Sequence, residues 1–124
     1  IAGLDMSLFV LDYDHNAPTA EHLAATHEKL YRAIRKAHPH VPYVMLSKPD
    51  YHDTPDERAR RAIVMRTYQK AIAEGDANVY FVDGASIFAG DQSDNCTVDG
   101  CHPNDLGFYR FAKALQPVFE RIFS

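Results

Sequence analysis

Leu8-Phe9-Val10-Leu11-Asp12-Tyr13-Asp14 is a continuous apolar run that ends in polar residues. An unbroken apolar run, without the alternation of a half-buried strand, predicts a strand covered on both faces, as in a parallel sheet. Tyr43–Ser47 and Val79–Asp83 repeat the pattern. Polar residues therefore follow all three predicted strands, at the ends where open α/β sheets bind ligands.

Helical periodicity separates the predicted strands. Thr19 predicts the N-cap of a first helix that stops near His38, and Thr54-Pro55-Asp56-Glu57 predicts a capping box for a second that stops at Gly75. A third helix is predicted from Asn104 or Asp105 to Phe123, kinked or divided by Pro117. The predicted buried faces are, in turn, Leu23, His27, Leu30, Tyr31 and Ile34; Ala62, Met65, Gln69 and Ile72; and Phe108, Phe111, Ala112, Leu115, Phe119 and Ile122.

The order of elements, β-α-β-α-β-loop-α, predicts an α/β fold. Strands that alternate with helices form a parallel sheet with helices on both faces, the flavodoxin-like three-layer α/β/α arrangement. With 124 residues and no linker or repeat, the chain is predicted to be one domain, residues 1–124.

The composition and charge of the chain limit the classes of molecule that it is expected to bind. The net charge is −4 and no basic patch stands out, which argues against nucleic acid as a partner. Four arginines on the second helix, Arg58, Arg60, Arg61 and Arg66, are surrounded by acidic residues and are predicted to form a solvated face. No apolar run approaches the roughly 18 residues that a membrane span requires.

The two cysteines, Cys96 and Cys101, lie close together in a polar loop. A disulfide between them and two free thiols both remain open from the sequence. A disulfide would favour a secreted or periplasmic protein. No metal site is predicted, because two further ligands at zinc spacing are missing. His15 and the other scattered histidines are predicted to be ordinary solvated side chains.

The same loop contains Asp99-Gly100-Cys101-His102-Pro103, just before the last helix. A tight turn can bring the Asp99 carboxylate onto one ring nitrogen of His102 and leave the other nitrogen free. In a nucleophilic hydrolase, a histidine and a carboxylate in this arrangement are the general base and the acid that orients it. The alternative is a surface loop in which His102 only helps to start the helix.

Asn16 follows the first strand, in Asp14-His15-Asn16-Ala17-Pro18. A side-chain amide at that edge of the sheet can donate a hydrogen bond to a developing oxyanion. An asparagine in an ordinary turn before proline is the alternative.

Together these residues resemble the SGNH (GDSL-type) esterase/acylhydrolase family. The segment from Asp99 to Gly107 is similar to the family's final Asp-x-x-His motif with its following Pro-Asn and downstream Gly. The resemblance implies that Asp99 and His102 are the acid and base of a Ser-His-Asp triad, that Asn16 is the oxyanion asparagine, and that no cofactor is needed. It implies an ester substrate, with acylated carbohydrate preferred.

The resemblance covers only the C-terminal portion of the family fold. The family's Gly-Asp-Ser block and its oxyanion glycine are missing, so we expect a preceding segment to supply two strands, the serine and the glycine. This chain alone is then expected to be inactive. Ser47, at a strand end, is the best local substitute for the nucleophile.

Two further expectations follow. The strand Leu8–Tyr13 would be an exposed edge in this chain, which predicts a homo-oligomer that covers it. The alternative hypothesis is that the chain is a non-catalytic binding or assembly module that kept the fold without a nucleophile.

Overall fold

β2 (Tyr43–Leu46) is the central strand of the computed structural model, which describes residues 1–49 and 52–124. It pairs in parallel with β1 (Phe9–Leu11) on one side and with β3 (Val79–Val82) on the other. Phe9 lies opposite Tyr43, and Tyr43 lies opposite Val79. The three predicted strands and their parallel arrangement are confirmed.

The sheet carries helices on both faces. α1 (Ala20–Ala37) and α2 (Pro55–Ala73) pack on the face that presents Tyr43 and Met45. α3 (Gly84–Ile87) and α4 (Asp105–Phe123) cover the face that presents Val44 and Leu46. All four residues of β2 are buried, as a strand covered on both sides requires. The α/β fold class is therefore confirmed.

The predicted helix starts are also observed. The Thr19 side chain accepts the backbone N–H of His22, and Thr54 and Glu57 form the reciprocal capping box. In α1 the predicted stripe is buried at Leu23, His27, Tyr31 and Ile34. Asp50, which the sequence predicts to follow the second strand, lies outside the described residues.

The predicted inner face of α2 was wrong. Val64, Thr67 and Ala71 are its buried residues, whereas Ala62, Gln69 and Ile72 are exposed. Apolar residues occur on more than one side of this helix, so periodicity did not single out one face. The side of α2 that faces the core packs against α1.

In α4 the predicted apolar stripe is only half-buried, and Phe108 is 61% exposed. With Val10 of β1, the residues of the stripe from Phe108 to Phe119 line an open apolar groove of about 900 Å³. Pro117 does not divide the helix. Pro117 has no N–H to donate to the carbonyl of Lys113, yet α4 continues through it from Asp105 to Phe123.

β1 lies at one edge of the sheet, and its Val10 is 39% exposed. The edge predicted from the sequence is therefore present in this chain. The homo-oligomer that would cover it stays a prediction, which light scattering at micromolar concentration can test. None of the helices within the described residues is long and apolar enough to cross a membrane.

His27 joins α1 to α2 inside the core, so the prediction of a solvated side chain was wrong for this histidine. Its burial makes stability depend on pH. Its Nδ1 lies 2.9 Å from Thr67 Oγ1, and burial lowers the pKa of His27 from 6.5 to about 4. The unfolded state therefore takes up the proton first. The stability contributed by neutral His27 is intact above the unfolded pKa and is lost as the pH falls from 6.5 towards 4.

We expect acidification from about pH 7 to about pH 4.5 to cost the wild-type protein about 2 to 3 kcal/mol through this histidine. In His27→Gln that part of the loss should be missing, since glutamine does not titrate. Denaturant unfolding of both proteins at both pH values measures the difference. An equal loss in the two proteins would contradict this assignment.

Candidate active site

Three loops meet at the carboxyl end of the sheet. One follows β1, one follows β2, and the third carries Asp99 and His102. They enclose a cavity of about 190 Å³, lined by Asp12, His15, Asn16, Lys48, Pro49, Cys101, His102, Pro103 and Phe111. The structure therefore brings the predicted site residues Asn16 and His102, more than eighty residues apart in sequence, to one cavity.

Local hydrogen bonds shape the loop that presents His102. Thr97 and Pro103 form an antiparallel bridge, and Val98 N–H donates to the His102 carbonyl at 2.9 Å. Gly100 closes the turn with a φ of +85°, a conformation that side chains disfavour. Asp99 Oδ1 accepts the backbone N–H of Cys101 at 2.9 Å and that of His102 at 2.7 Å. Asp99 thus shapes the turn as well as facing the ring.

The residues after His102 fasten this loop to α4. Asn104 caps the helix by accepting Gly107 N–H at 3.0 Å, while its Nδ2 donates to the Asn95 carbonyl at 2.7 Å. A Cβ at Gly107 would lie 2.2 Å from the Cys96 carbonyl oxygen. The Pro-Asn-x-x-Gly spacing therefore lets the helix start in contact with the loop that holds the imidazole.

The Asp99–His102 pair has the geometry of a base with its orienting acid. Asp99 Oδ2 lies 2.6 Å from His102 Nδ1, and the histidine side chain is 72% exposed. The backbone N–H of His102, then its ring and the N–H of Cys101, lower the pKa of Asp99 to about 2. An ionised Asp99 holds the proton on Nδ1, so Nε2 is left with its lone pair.

Asn16 ends a 3-10 turn, Asp14–Asn16, directly after β1. Its side chain is exposed, and its amide makes no hydrogen bond to residues 1–49 or 52–124. The amide is therefore available to a ligand in the cavity, as an oxyanion donor must be.

Buried Asp14 anchors this turn. Its Oδ2 accepts Lys48 N–H at 2.7 Å, and burial raises the pKa of its carboxyl group. From α2, Arg60 donates to the carbonyls of Asp14 and Ala17, both at 2.9 Å. The prediction of a solvated arginine face was wrong for Arg60, whose side chain is 11% exposed. Arg60 turns inward because it binds backbone carbonyls of the loop after β1. The pattern of charges along α2 does not indicate that contact.

Ser47 does not replace a nucleophile. It is 1% exposed, and its hydroxyl accepts the N–H of Gly84 at 2.8 Å. A Cβ at Gly84 would lie 2.2 Å from the Ser47 carbonyl oxygen, so the two segments are in direct contact. The other serines are Ser7, Ser86, Ser93 and Ser124, and none lines the cavity with His102.

Both cysteines are free. Cys96 is buried and its thiol donates to the Gln92 carbonyl at 3.4 Å. Cys101 has a different partner: its Sγ lies 2.7 Å from His15 Nε2. The free-thiol alternative is the one observed, so no disulfide argues for a secreted or periplasmic location.

The contact between His15 and Cys101 was not predicted from the sequence. They are separated by 86 positions, and only the meeting of two loops joins them. Ligand atoms of Asp99, Cys101 and His102 also lie within 4.8 Å of one another. These side chains are of the types that bind transition metals.

Two solved structures share this fold. A GDSL-like lipase structure from Bacteroides ovatus ATCC 8483 superposes with a TM-score of 0.83 at 23% identity, over 98% of this chain. The salicylyl-acyltransferase SsfX3 from a tetracycline biosynthetic pathway gives 0.74 at 20% identity, again over 98% of this chain. This chain spans only 37% and 39% of their lengths.

Comparison with curated proteins gives no match. The family comparison is more specific: a model described as the GDSL-like lipase/acylhydrolase family matches residues 1–120. That match includes all three strands, the Asn16 turn and the complete loop of Asp99 and His102. The chain belongs to the GDSL-like lipase/acylhydrolase family.

Proposed function

We propose that this chain supplies the acid–base half of a serine ester hydrolase or acyltransferase. His102 is the general base, Asp99 orients it, Asn16 donates to the oxyanion, and the nucleophilic serine lies outside the 124 residues. The observation that carries the proposal is the 2.6 Å contact between Asp99 and His102, with the exposed ring at the cavity that Asn16 also lines.

The chemistry follows from the free Nε2 of His102. As the serine Oγ attacks the ester carbonyl carbon, Nε2 takes the hydroxyl proton, and the carbonyl electron pair moves onto oxygen. The Asn16 amide donates to that oxyanion. When the C–O bond to the leaving group breaks, the imidazolium returns its proton to the departing alkoxide. Asp99 remains ionised throughout and stabilises the imidazolium.

The acyl-enzyme then reacts with water or with an alcohol by the reverse proton transfers. The first outcome is hydrolysis. The second is acyl transfer, the activity for which the structural relative SsfX3 is named. We propose carboxylic esters as the substrate class and acylated carbohydrates as the preferred example. None of these steps requires a metal or an organic cofactor.

A fluorophosphonate probe tests the proposal in the intact protein, since it labels serines that a neighbouring base activates. Peptide mapping should find the label on a serine outside the present 124 residues, and His102→Ala should abolish labelling. Labelling at Ser47, or at another serine of this chain, would contradict the proposed division of the triad.

Asn16→Ala in the intact enzyme should lower kcat by about 100- to 1000-fold, because one oxyanion donor is lost. KM should change little, since the ground-state carbonyl needs this donor less than the oxyanion does. Asn95→Ala is the matched control, because Asn95 is an exposed asparagine at the end of a second 3-10 turn, Ser93–Asn95. Equal activities of the two variants would remove Asn16 from the mechanism.

A binding or assembly module is the second candidate. The observation in its favour is that no serine of this chain lines the cavity of His102. An intact protein that resists the fluorophosphonate probe and leaves p-nitrophenyl acetate unhydrolysed would favour this candidate over the enzyme.

A further inference from the structure

We propose that Asp14 and Arg60 are positioning residues, which hold the turn Asp14–Asn16 so that the Asn16 amide faces the reacting carbonyl oxygen. The inference rests on the proposed function, because it assigns these two residues to the oxyanion donor of that mechanism. Neither of them lines the cavity that contains His102, so neither is expected to touch the substrate. Both would change the rate of turnover through Asn16.

The turn that carries Asn16 needs support from outside. It is a single 3-10 turn of three residues, in which the Asn16 N–H donates to the Tyr13 carbonyl at 2.9 Å. Hydrogen bonds of this kind have poorer geometry than those of an α-helix. A donor to a developing oxyanion must nevertheless be in place before the reaction, because it stabilises charge through that preorganisation. Neighbouring elements therefore have to fix the turn.

Asp14 ties the turn to the loop after β2. It is the first residue of the turn and 1% exposed, and its Oδ2 accepts Lys48 N–H at 2.7 Å. Its Oδ1 is buried without a hydrogen-bond partner among the described residues. A buried carboxylate oxygen without a partner costs stability. We therefore attribute the presence of this carboxylate to the position of the turn and not to the stability of the fold.

Arg60 holds the same turn from α2. Its Nη1 donates to the carbonyls of Asp14 and Ala17, both at 2.9 Å. These two carbonyls flank Asn16 in sequence. Arg60 Nε donates to Asp56 Oδ2 at 2.7 Å, one turn earlier on the helix, which fixes the guanidinium. Two separate elements thus support the turn, and a displacement of about 1 Å at a catalytic group can cost about 100-fold in rate.

Kinetics of single and double variants of the intact enzyme test the positioning role. Asp14→Ala should lower kcat for p-nitrophenyl acetate by about 10- to 100-fold, with little change in KM. In an Asn16→Ala background the same substitution should change kcat by less than about threefold, because the donor that Asp14 positions is already missing. Asp14→Asn keeps an oxygen that can accept Lys48 N–H, so it should retain most of the wild-type kcat.

Asp76→Ala is the matched control for the loss of a carboxylate that holds backbone. Asp76 Oδ1 accepts the N–H of Asn78 at 2.9 Å, but it precedes β3, at the opposite end of the sheet from the cavity. This variant should lose stability and keep its kcat. Wild-type kcat in Asp14→Ala, or an equal loss in the wild-type and Asn16→Ala backgrounds, would overturn the positioning role of Asp14.

Arg60→Met repeats the test without touching the carboxylate, and it decides the question if Asp14→Ala does not fold. It should lower kcat at least about tenfold in the wild-type background and less than about threefold in Asn16→Ala. Arg66→Met is its control, because Arg66 is an exposed arginine of the same helix. Equal kcat in Arg60→Met and Arg66→Met would overturn the role of Arg60.

Nitrogen-15 relaxation of the Asn16 backbone amide gives a readout that does not depend on activity. Its order parameter should be about 0.85 in the wild-type protein and fall below about 0.6 in Asp14→Ala and Arg60→Met. An intact protein without esterase activity would contradict the proposed function, while this loss of order would still support the fixed turn. An unchanged order parameter in both variants would overturn the inference.

Discussion

His102→Ala should reduce kcat for p-nitrophenyl acetate by at least about 10⁴-fold in the intact enzyme, because the histidine of a serine hydrolase triad acts twice in each turnover. Without the imidazole, nothing at this position takes the proton of the serine or returns it to the leaving alcohol. Steady-state kinetics of wild type and variant measure the loss. KM should stay within a few-fold, since His102 is proposed to act on the reacting atoms and not on remote parts of the substrate.

His22→Ala is the matched control, because His22 is also an exposed histidine but lies on α1 outside the cavity. It should retain wild-type kcat. The fold should survive in both variants, since the ring of His102 is exposed and bonds only to Asp99 within the described residues. Wild-type activity in His102→Ala, with equal circular dichroism, would remove the proposed base.

The sheet could be predicted from sequence because each strand is an unbroken apolar run bounded by polar residues. Tyr43–Leu46 is buried on both faces, so every side chain is selected for burial and the pattern is local. The same holds for Thr54 and Glu57, whose capping box is complete within one helical turn. Elements that depend on neighbours in sequence were therefore predictable.

The inner face of α2 depends on neighbours in space. Thr67 is buried because it meets His27 of α1, a residue forty positions away. Likewise Arg60 is nearly buried because it reaches the carbonyls of the turn after β1. Neither partner is visible in the periodicity of α2, so the sequence predicts a solvated Arg60 and does not place Thr67 on the inner face.

In the candidate site, too, contacts between residues close in sequence were predictable, and contacts between distant residues were not. Asp99 and His102 are three positions apart, so their pairing was accessible from spacing alone, and the structure gives it at 2.6 Å. The pairing of Cys101 with His15 needed the packing of the first loop against the last. Asp14 could have been suspected, since a carboxylate between a buried strand and a turn often holds that turn by backbone hydrogen bonds.

Asp99→Asn should lower kcat by about 10⁴-fold while leaving the loop intact. Asparagine keeps an oxygen that can accept the backbone N–H groups of Cys101 and His102, so the turn survives. The amide nitrogen of the asparagine, however, donates a hydrogen bond to Nδ1 of His102, whereas the carboxylate of Asp99 accepts one from Nδ1–H. The neutral ring must then carry its proton on Nε2, and it can no longer take one from the serine.

The proton position can be observed directly, because the two tautomers of a histidine ring differ in their nitrogen-15 chemical shifts. We expect Nδ1–H in wild type and Nε2–H in Asp99→Asn. Asp105→Asn removes an exposed carboxylate from the first turn of α4 and should change neither the tautomer nor kcat appreciably. With a pKa of about 2, Asp99 of the wild-type protein stays ionised between about pH 4 and about pH 9. Protonation of Asp99 therefore cannot cause, in this pH range, the loss of activity expected in Asp99→Asn. A loss of activity without the tautomer change would mean that Asp99 acts through the shape of the turn and not through the proton on the ring.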